Sequence, residues 1–427
     1  MKICAISFHS CPYSSLGGNG SGGMSVYLRE LTNRLVDFPN VSVDIITRAQ
    51  DPICVEAKDI SPRIRVVQLK GGPERPIERT DMFQFIPEFA ANLERYIHRE
   101  KENYDIIHSH YWLSGLAGGY VKHKMGIPLV HAYHTLAFKK GRKLGQKEHK
   151  RREVSERHLA HISDLIISPS TEERDNLVDE YGLMPAKVRV VYPGVNPRLF
   201  YPVPNREVLK KTGLHGGDFI LLFVGRIEPV KGLMNLVEAL SILKRKNPPL
   251  FAKTRLIVIG GGKKRKELAA NEEVRRIKAA VERLELEDRV RFMGSVSQAQ
   301  LRKYYSAADA LIIPSLYESF GLVTVEALAC GTPVLASQIG EMKNIVKDGK
   351  NGLSFYPCDP ISLAQSIEKL SSHRSRLWSP ASIREDILRR YSWDNTADDT
   401  YRIYKRLVYE RLRSKTIFQP GESLRPV

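Results

Sequence analysis

Short apolar, β-branched runs alternate with helical patterns from one end of the chain to the other, and this alternation constrains the fold more than any other feature. In the first half the strand-like runs are Lys2 to Phe8, Val41 to Thr47, Asp105 to His108, Ile127 to Ala132, Leu165 to Ser168 and Val188 to Val191, with a helical pattern over Met24 to Val36. Strands separated by helices are joined by crossovers and pair in parallel. The pattern breaks at YPGVNPRLFYPVP, where four prolines fall between Pro193 and Pro204. A second series follows: strands at Phe219 to Val224, Leu256 to Ile259, Val290 to Met293, Ala310 to Ile313 and Pro333 to Ala336, and a helix at Leu233 to Leu243. Continuous apolar runs of this kind predict strands buried on both faces.

The chain of 427 residues is long enough for two or three domains, at roughly 150 residues each. The expected fold class is α/β, with two doubly wound Rossmann-like domains facing a central cleft. The predicted boundaries are 1–195 for the first domain, 196–217 for a linker, 218–390 for the second domain, 391–413 for a C-terminal helix packing back on the first domain, and 414–427 for a tail. No apolar run approaches the roughly 18 residues of a membrane span, and the opening MKICAISFHS turns polar too soon for a signal peptide. Five cysteines without a C-x-x-C pair argue against a disulfide framework or a zinc ribbon, and for a reducing, cytoplasmic setting. The net charge of +18 admits nucleic acid, an anionic membrane surface to which the protein is peripheral, a phosphorylated small molecule, or a basic surface kept only for solubility.

Ligands of open α/β sheets bind at the carboxyl ends of the strands, so chemistry is sought there. GGNGSGGM places five glycines between Gly17 and Gly23, ahead of a helix. Glycines let backbone amides approach a ligand closely, and a helix N-terminus favours negative charge. Gly18, Gly20 and Gly23 also spell G-x-G-x-x-G, which opens a dinucleotide reading and an NAD(P)-dependent oxidoreductase; but the loop does not follow its strand at once, and Asp44 lies within the next strand. A flexible surface loop is the bland alternative. GRIEPVKG follows the strongest strand of the second half and puts Arg226 and Lys231 at its mouth, where two cations could clamp a diphosphate.

PSLYESFGLVTVEALACGTPVLAS runs strand, loop, helix, strand. Glu318 falls in the loop and Glu326 about one turn into the helix, flanked by apolar residues; a carboxylate accepts well from vicinal sugar hydroxyls. Phe320, Gly321 and Leu322 would present backbone amides there. His108 and His110 end one strand, and His131 and His134 the next; most such histidines are structural, but His134 and Thr135 lie where active sites form. KKGRKLGQKEHKRR, Lys139 to Arg152, carries eight basic residues, and KKRK recurs at Lys263 to Lys266. A solvated face is one reading of these runs, and a mouth for an anionic acceptor or membrane another. Without interleaved aromatics, a nucleic-acid platform is not expected.

Taken together, the two-Rossmann layout, the early GGM, GRIEPVKG and ESFGLVTVEA resemble the retaining GT-B glycosyltransferases of family 4 over about residues 1–410. IHSHYWLSG, HTLA and GGMSVY are most similar to two branches of it: the mycothiol-pathway inositol-phosphate N-acetylglucosaminyltransferases and the sucrose-phosphate synthases. The resemblance implies transfer of a hexose or N-acetylhexosamine from a UDP-sugar to a small phosphorylated polyol or sugar. A membrane-associated transferase acting on a lipid or glycan stays open beside it. The resemblance implies that Arg226 and Lys231 bind the diphosphate, Glu326 the ribose, and Glu318 the sugar hydroxyls with the Phe320, Gly321, Leu322 and Val323 backbone. It sets Gly23 under the diphosphate and His134 beside the reacting sugar. It assigns the acceptor to Gly22, Gly23, Ser25, Arg79, Tyr111, Thr135 and Arg152, with Ser25 standing where the mycothiol type has Asn and Arg79 where it has Lys. No D-x-D pair holds a metal, and neither an essential metal nor a cofactor is expected, the nucleotide sugar being a substrate. The oligomeric state is not specified.

Overall fold

The computed structural model describes residues 1–13, 22–52, 56–144, 150–204, 217–262, 270–373 and 376–417. Gly18, Gly20 and the Lys263 to Lys266 run lie outside the described residues, as does part of the basic run after Lys139.

Eight strands form the first sheet: β1 (Lys2–Ile6), β2 (Ser42–Arg48), β3 (Ala57–Ser61), β4 (Ile64–Leu69), β5 (Ile106–His110), β6 (Leu129–Ala132), β7 (Leu165–Ser168) and β8 (Val188–Val190). Their order is β3-β4-β2-β1-β5-β6-β7-β8, parallel except for the β3–β4 pair. Six form the second: β9 (Phe219–Val224), β10 (Thr254–Ile259), β11 (Val290–Gly294), β12 (Ala310–Ile313), β13 (Val334–Ser337) and β14 (Gly352–Phe355), in the order β11-β10-β9-β12-β13-β14 and wholly parallel. Two doubly wound domains are therefore present. Each sheet is covered on both faces, and side chains along one strand part between the two cores. Cys4 and Ile6 enter one core, Ile3 and Ala5 the other; in β9, Leu221 and Phe223 part in the same way from Ile220 and Leu222.

Several boundaries differ from the sequence reading. β5 does not stop at His108 but runs to His110, because Ser109 and His110 are buried and pair with His131 and Ala132 of β6. β3, β4 and β14 were not read from the sequence. β3 is an exposed, polar edge, and β14 is four residues opening on a glycine, so neither carries an apolar run. The long helix Trp393–Ile417 crosses back to the first domain. Its Tyr401 ring stacks on Phe38 at 4.2 Å, and the Tyr404 hydroxyl lies 2.5 Å from His108 Nδ1.

In each sheet the chain runs outward from one strand and later returns to its other side: β1 and β5 flank this reversal in the first domain, β9 and β12 in the second. Crevices at the carboxyl ends of such pairs are where doubly wound sheets bind ligands. The two crevices face each other across a seam, where the Arg29 guanidinium donates to Gln298 Oε1 at 2.7 Å and Asn196 Nδ2 to Glu30 Oε2 at 3.1 Å.

Candidate active site

On the second-domain side, β9 ends in a short 3-10 turn, Pro229–Lys231, closed by Gly232 at φ +67. Only glycine fits there, since a Cβ would come within 1.9 Å of the Pro314 carbonyl oxygen. Leu316 N donates to Val230 O at 2.8 Å and ties this turn to the loop after β12. Lys231 and Glu318 thus meet: Nζ lies 2.5 Å from Oε1, which also accepts from Ser315 Oγ at 3.2 Å. Arg226 stands half exposed at the strand's mouth and pairs with Glu228 at 2.5 Å. Both cations are thus held by carboxylates, the Lys231 ammonium mostly buried and the Arg226 fork half in solvent.

The same loop opens the helix Leu322–Ala329, capped by Gly321 at φ +85 with no side chain on the first amides. Leu322 and Val323 lie in that uncapped first turn, and Phe320 is buried edge-on to Tyr391. Glu326 is buried on this helix and accepts from the Tyr305 hydroxyl at 2.9 Å. Burial raises its carboxyl to about 7; Tyr305 draws it down and Glu30 pushes it up. Gly23 begins the helix Gly23–Leu35, whose N-terminus also carries no side-chain cap. A Cβ on Gly23 would sit 3.6 Å from Leu322 Cδ1, so two open helix N-termini abut across the seam. A Cβ on Gly22 would meet nothing within 4 Å among the described residues, and the buried Ser25 hydroxyl finds no protein partner among them.

On the first-domain side, Arg79, Tyr111, Thr135 and Arg152, from four separate segments, come together. The Arg152 guanidinium carbon lies 5.1 Å from the Tyr111 ring centre and that of Arg79 5.8 Å. Arg152 Nη2 donates to Thr135 O at 2.8 Å and to Thr135 Oγ1 at 3.0 Å. The reading of Arg152 as part of a solvated run is overturned: it is 4% exposed and bonded through Nε to the buried Glu156 at 2.7 Å. Tyr111 holds φ +76, a conformation that costs a non-glycine residue energy and persists where the surroundings fix it; here its N–H donates to Ala132 O at 2.8 Å.

His134 joins the two sides. It too has positive φ, +62. Its carbonyl accepts from Ser319 Oγ of the other domain at 2.6 Å, and its Nε2 lies 3.0 Å from His110 Nδ1. Burial lowers its ring to about 3, so it is neutral at every physiological pH. The Tyr317 hydroxyl accepts from Leu136 N at 3.3 Å, a second bond across the same gap.

Three participants escaped the sequence reading. His9, just past β1, lies with its ring 4.7 Å from that of Tyr111; burial first, then Arg79, His134 and Arg152, hold it well below the ordinary histidine range. Its signal was its place at a strand's carboxyl end. Ser319 and Tyr317 stood inside the quoted motif, but nothing in a sequence tells a hydroxyl that crosses to another domain from one in solvent. The dinucleotide reading fails on Asp44, whose carboxylate is taken by Arg65 at 2.5 Å and by the Tyr104 hydroxyl at 2.7 Å. Among the described residues no helix is long and apolar enough to cross a membrane, and no group of three His, Cys, Asp or Glu is placed to hold a metal ion.

Two facing parallel-sheet domains, with cations and open helix termini at their switch points, describe a GT-B glycosyltransferase. Residues 21–199 match the family described as Glycosyltransferase Family 4, and residues 205–384 match Glycosyl transferases group 1. The chain belongs to this glycosyltransferase family. It is 34% identical over 417 residues to D-inositol 3-phosphate glycosyltransferase 2 of Catenulispora acidiphila, covering 97% of this chain and 96% of the relative. It is 32% identical to D-inositol 3-phosphate glycosyltransferase of Acidothermus cellulolyticus, with 97% and 92% covered. Among solved structures, the sucrose-phosphate synthase of Thermosynechococcus elongatus superposes with a TM-score of 0.85 at 30% identity, over 96% of this chain and 99% of that one.

Proposed function

We propose that this glycosyltransferase moves a hexose or N-acetylhexosamine from a UDP-sugar to a small phosphorylated polyol or sugar, with retention at the anomeric carbon. The observation that carries the acceptor is the meeting of Arg79, Tyr111, Thr135 and Arg152, since two guanidiniums and two hydroxyls suit a phosphate dianion. The names of the relatives, inositol 3-phosphate glycosyltransferase and sucrose-phosphate synthase, accord with such an acceptor. A solved neighbour of the same fold, the Anabaena HepE protein, is described in complex with UDP and glucose, which favours uridine in the donor.

The chemistry follows from charge. As the glycosidic bond to the diphosphate lengthens, negative charge gathers on the leaving oxygens. In this scheme Lys231, Arg226 and the amides opening the helices at Gly23 and Leu322 meet that charge. Glu326 takes the ribose hydroxyls, and Glu318, freed in part from Lys231 as the cation turns to phosphate, takes those of the sugar. Attack from the face the leaving group departs lets the phosphate accept the acceptor's proton and keeps the configuration. On this reading no bound metal is required, and turnover survives chelation. The test is release of UDP from a panel of UDP-sugars offered with inositol phosphates and sugar phosphates. Donor hydrolysis or transfer only to unphosphorylated glycans would overturn the acceptor class.

A further inference from the structure

The pair His110–His134 is not used by the scheme above except as scaffold, yet its geometry decides which proton His134 carries. Their nitrogens, His110 Nδ1 and His134 Nε2, are 3.0 Å apart, so one is the donor and the other the acceptor. Both rings are held neutral by burial, which comes first among the causes for each. Two arrangements remain. If His134 Nε2–H donated, His110 would accept at Nδ1 and carry its proton on Nε2. That nitrogen is buried without a partner among the described residues, and an orphaned buried N–H is the rarer defect in folded proteins. If His110 Nδ1–H donates, only a lone pair is left unused at His110 Nε2. His134 must then hold its own proton on Nδ1.

Building on the proposed sugar transfer, we infer that His110 is a positioning residue that fixes His134 as the Nδ1–H tautomer, making His134 a hydrogen-bond donor to the reacting sugar and never a base. The backbone supports the same end. His134 keeps φ +62 because its carbonyl is pinned by Ser319, the residue after Glu318, while its ring is pinned by His110 and lies edge-on to Tyr27 at 5.1 Å. The donor loop and the first domain therefore hold one side chain between them. Nδ1 is the ring nitrogen with no protein partner among the described residues, and so the one left for a substrate hydroxyl or ring oxygen. A ring kept neutral with a proton in a known place is how enzymes use histidine as an electrophile.

The experiment is long-range 1H–15N correlation on protein labelled with 15N-histidine, which tells a protonated Nδ1 from a protonated Nε2 without any substrate. Wild-type His134 should show protonated Nδ1 and bare Nε2. His110→Asn, whose amide can stand where Nδ1–H stood, should keep that pattern, whereas His110→Phe should lose it. In turnover, His110→Phe should lower kcat by about 10- to 100-fold, the range typical of partners that orient metal-bound histidines, with the donor KM little changed, and His110→Asn should recover most of it. A wild-type His134 protonated on Nε2, or a His110→Phe protein with unchanged tautomer and kcat, would overturn the assignment. An enzyme that transfers no sugar to any phosphorylated acceptor would count against the proposed function alone, because the tautomer is read without turnover.

Discussion

In the proposed scheme Lys231 supplies a fixed charge to the leaving diphosphate. Removing one fixed charge from a developing anion costs ~2–4 kcal/mol of transition-state stabilisation. Lys231→Ala should therefore cut turnover at saturating donor by roughly 30- to 1,000-fold, with the fold intact by circular dichroism; near-normal turnover would remove it from the chemistry. The two carboxylates divide differently. Loss of Glu326 should weaken UDP itself, while Glu318→Gln should spare UDP and slow transfer; calorimetry that finds equal weakening contradicts the division. Glu326 also gives a pH signature. Its carboxyl is raised to about 7, and the ionised form is the better acceptor for ribose hydroxyls. UDP affinity of the wild type should thus gain on that of Glu326→Gln as pH climbs from 6 to 8, and a constant ratio would refute it. At this scale the sequence was most informative, because glycine, lysine and glutamate stood at strand ends in fixed spacing. The partners of those residues were hidden. That Arg152 would turn inward depended on the buried Glu156 one helical turn later, and the basic residues around it pointed the other way.

At the scale of elements, two glycines set the direction of two helices toward the cleft. Gly232 passes from the Lys231 turn into the helix Leu233–Lys246, and Gly321 opens the helix that carries Glu326. Gly232→Ala would force a Cβ to within 1.9 Å of the Pro314 oxygen at φ +67. The loss should exceed about 2 kcal/mol, clash and strain together, and donor binding should fall with it. A chemical-denaturation midpoint equal to that of the wild type would show that the turn can relax. The strands that the sequence revealed were buried, continuous ones such as β9, although β4, with Ile64, Val66, Val67 and Leu69 buried, was missed because Arg65 and Gln68 interrupt its apolar run. The polar edge β3 and the short β14 are specified by their neighbours' backbone, not by their own side chains, and left no pattern to read.

At the scale of the molecule, the candidate site residues of the two domains meet at the seam between them, where sequence is least explicit. Glu173, buried in the first domain beside Tyr317 and Ser319 of the second, is raised to about 8, chiefly by burial. Between 4.5, its ordinary value, and about 8 the folded chain keeps a proton that the unfolded chain has lost. Stability from this group therefore falls as pH rises through that window. Glu173→Gln cannot ionise, so its melting temperature should rise relative to wild type from pH 5 to pH 9; a gap that does not change with pH would place Glu173 outside the seam's energetics. Across the same seam, His134 links the first domain to the loop after β12 through its carbonyl bond from Ser319.

Whether the cluster of Arg79, Tyr111, Thr135 and Arg152 reads a phosphate is decided by comparing one pair of acceptors. The kcat/KM for a phosphorylated polyol or sugar is measured against that of its dephosphorylated form, in wild type and in Arg152→Ala. The phosphorylated form should be preferred by at least about 100-fold, since charge-assisted bidentate contacts are lost without it. Arg152→Ala should raise the acceptor KM and leave the donor KM alone. Equal efficiency with both forms, or an Arg152→Ala effect on the donor only, would contradict a phosphate-reading cluster.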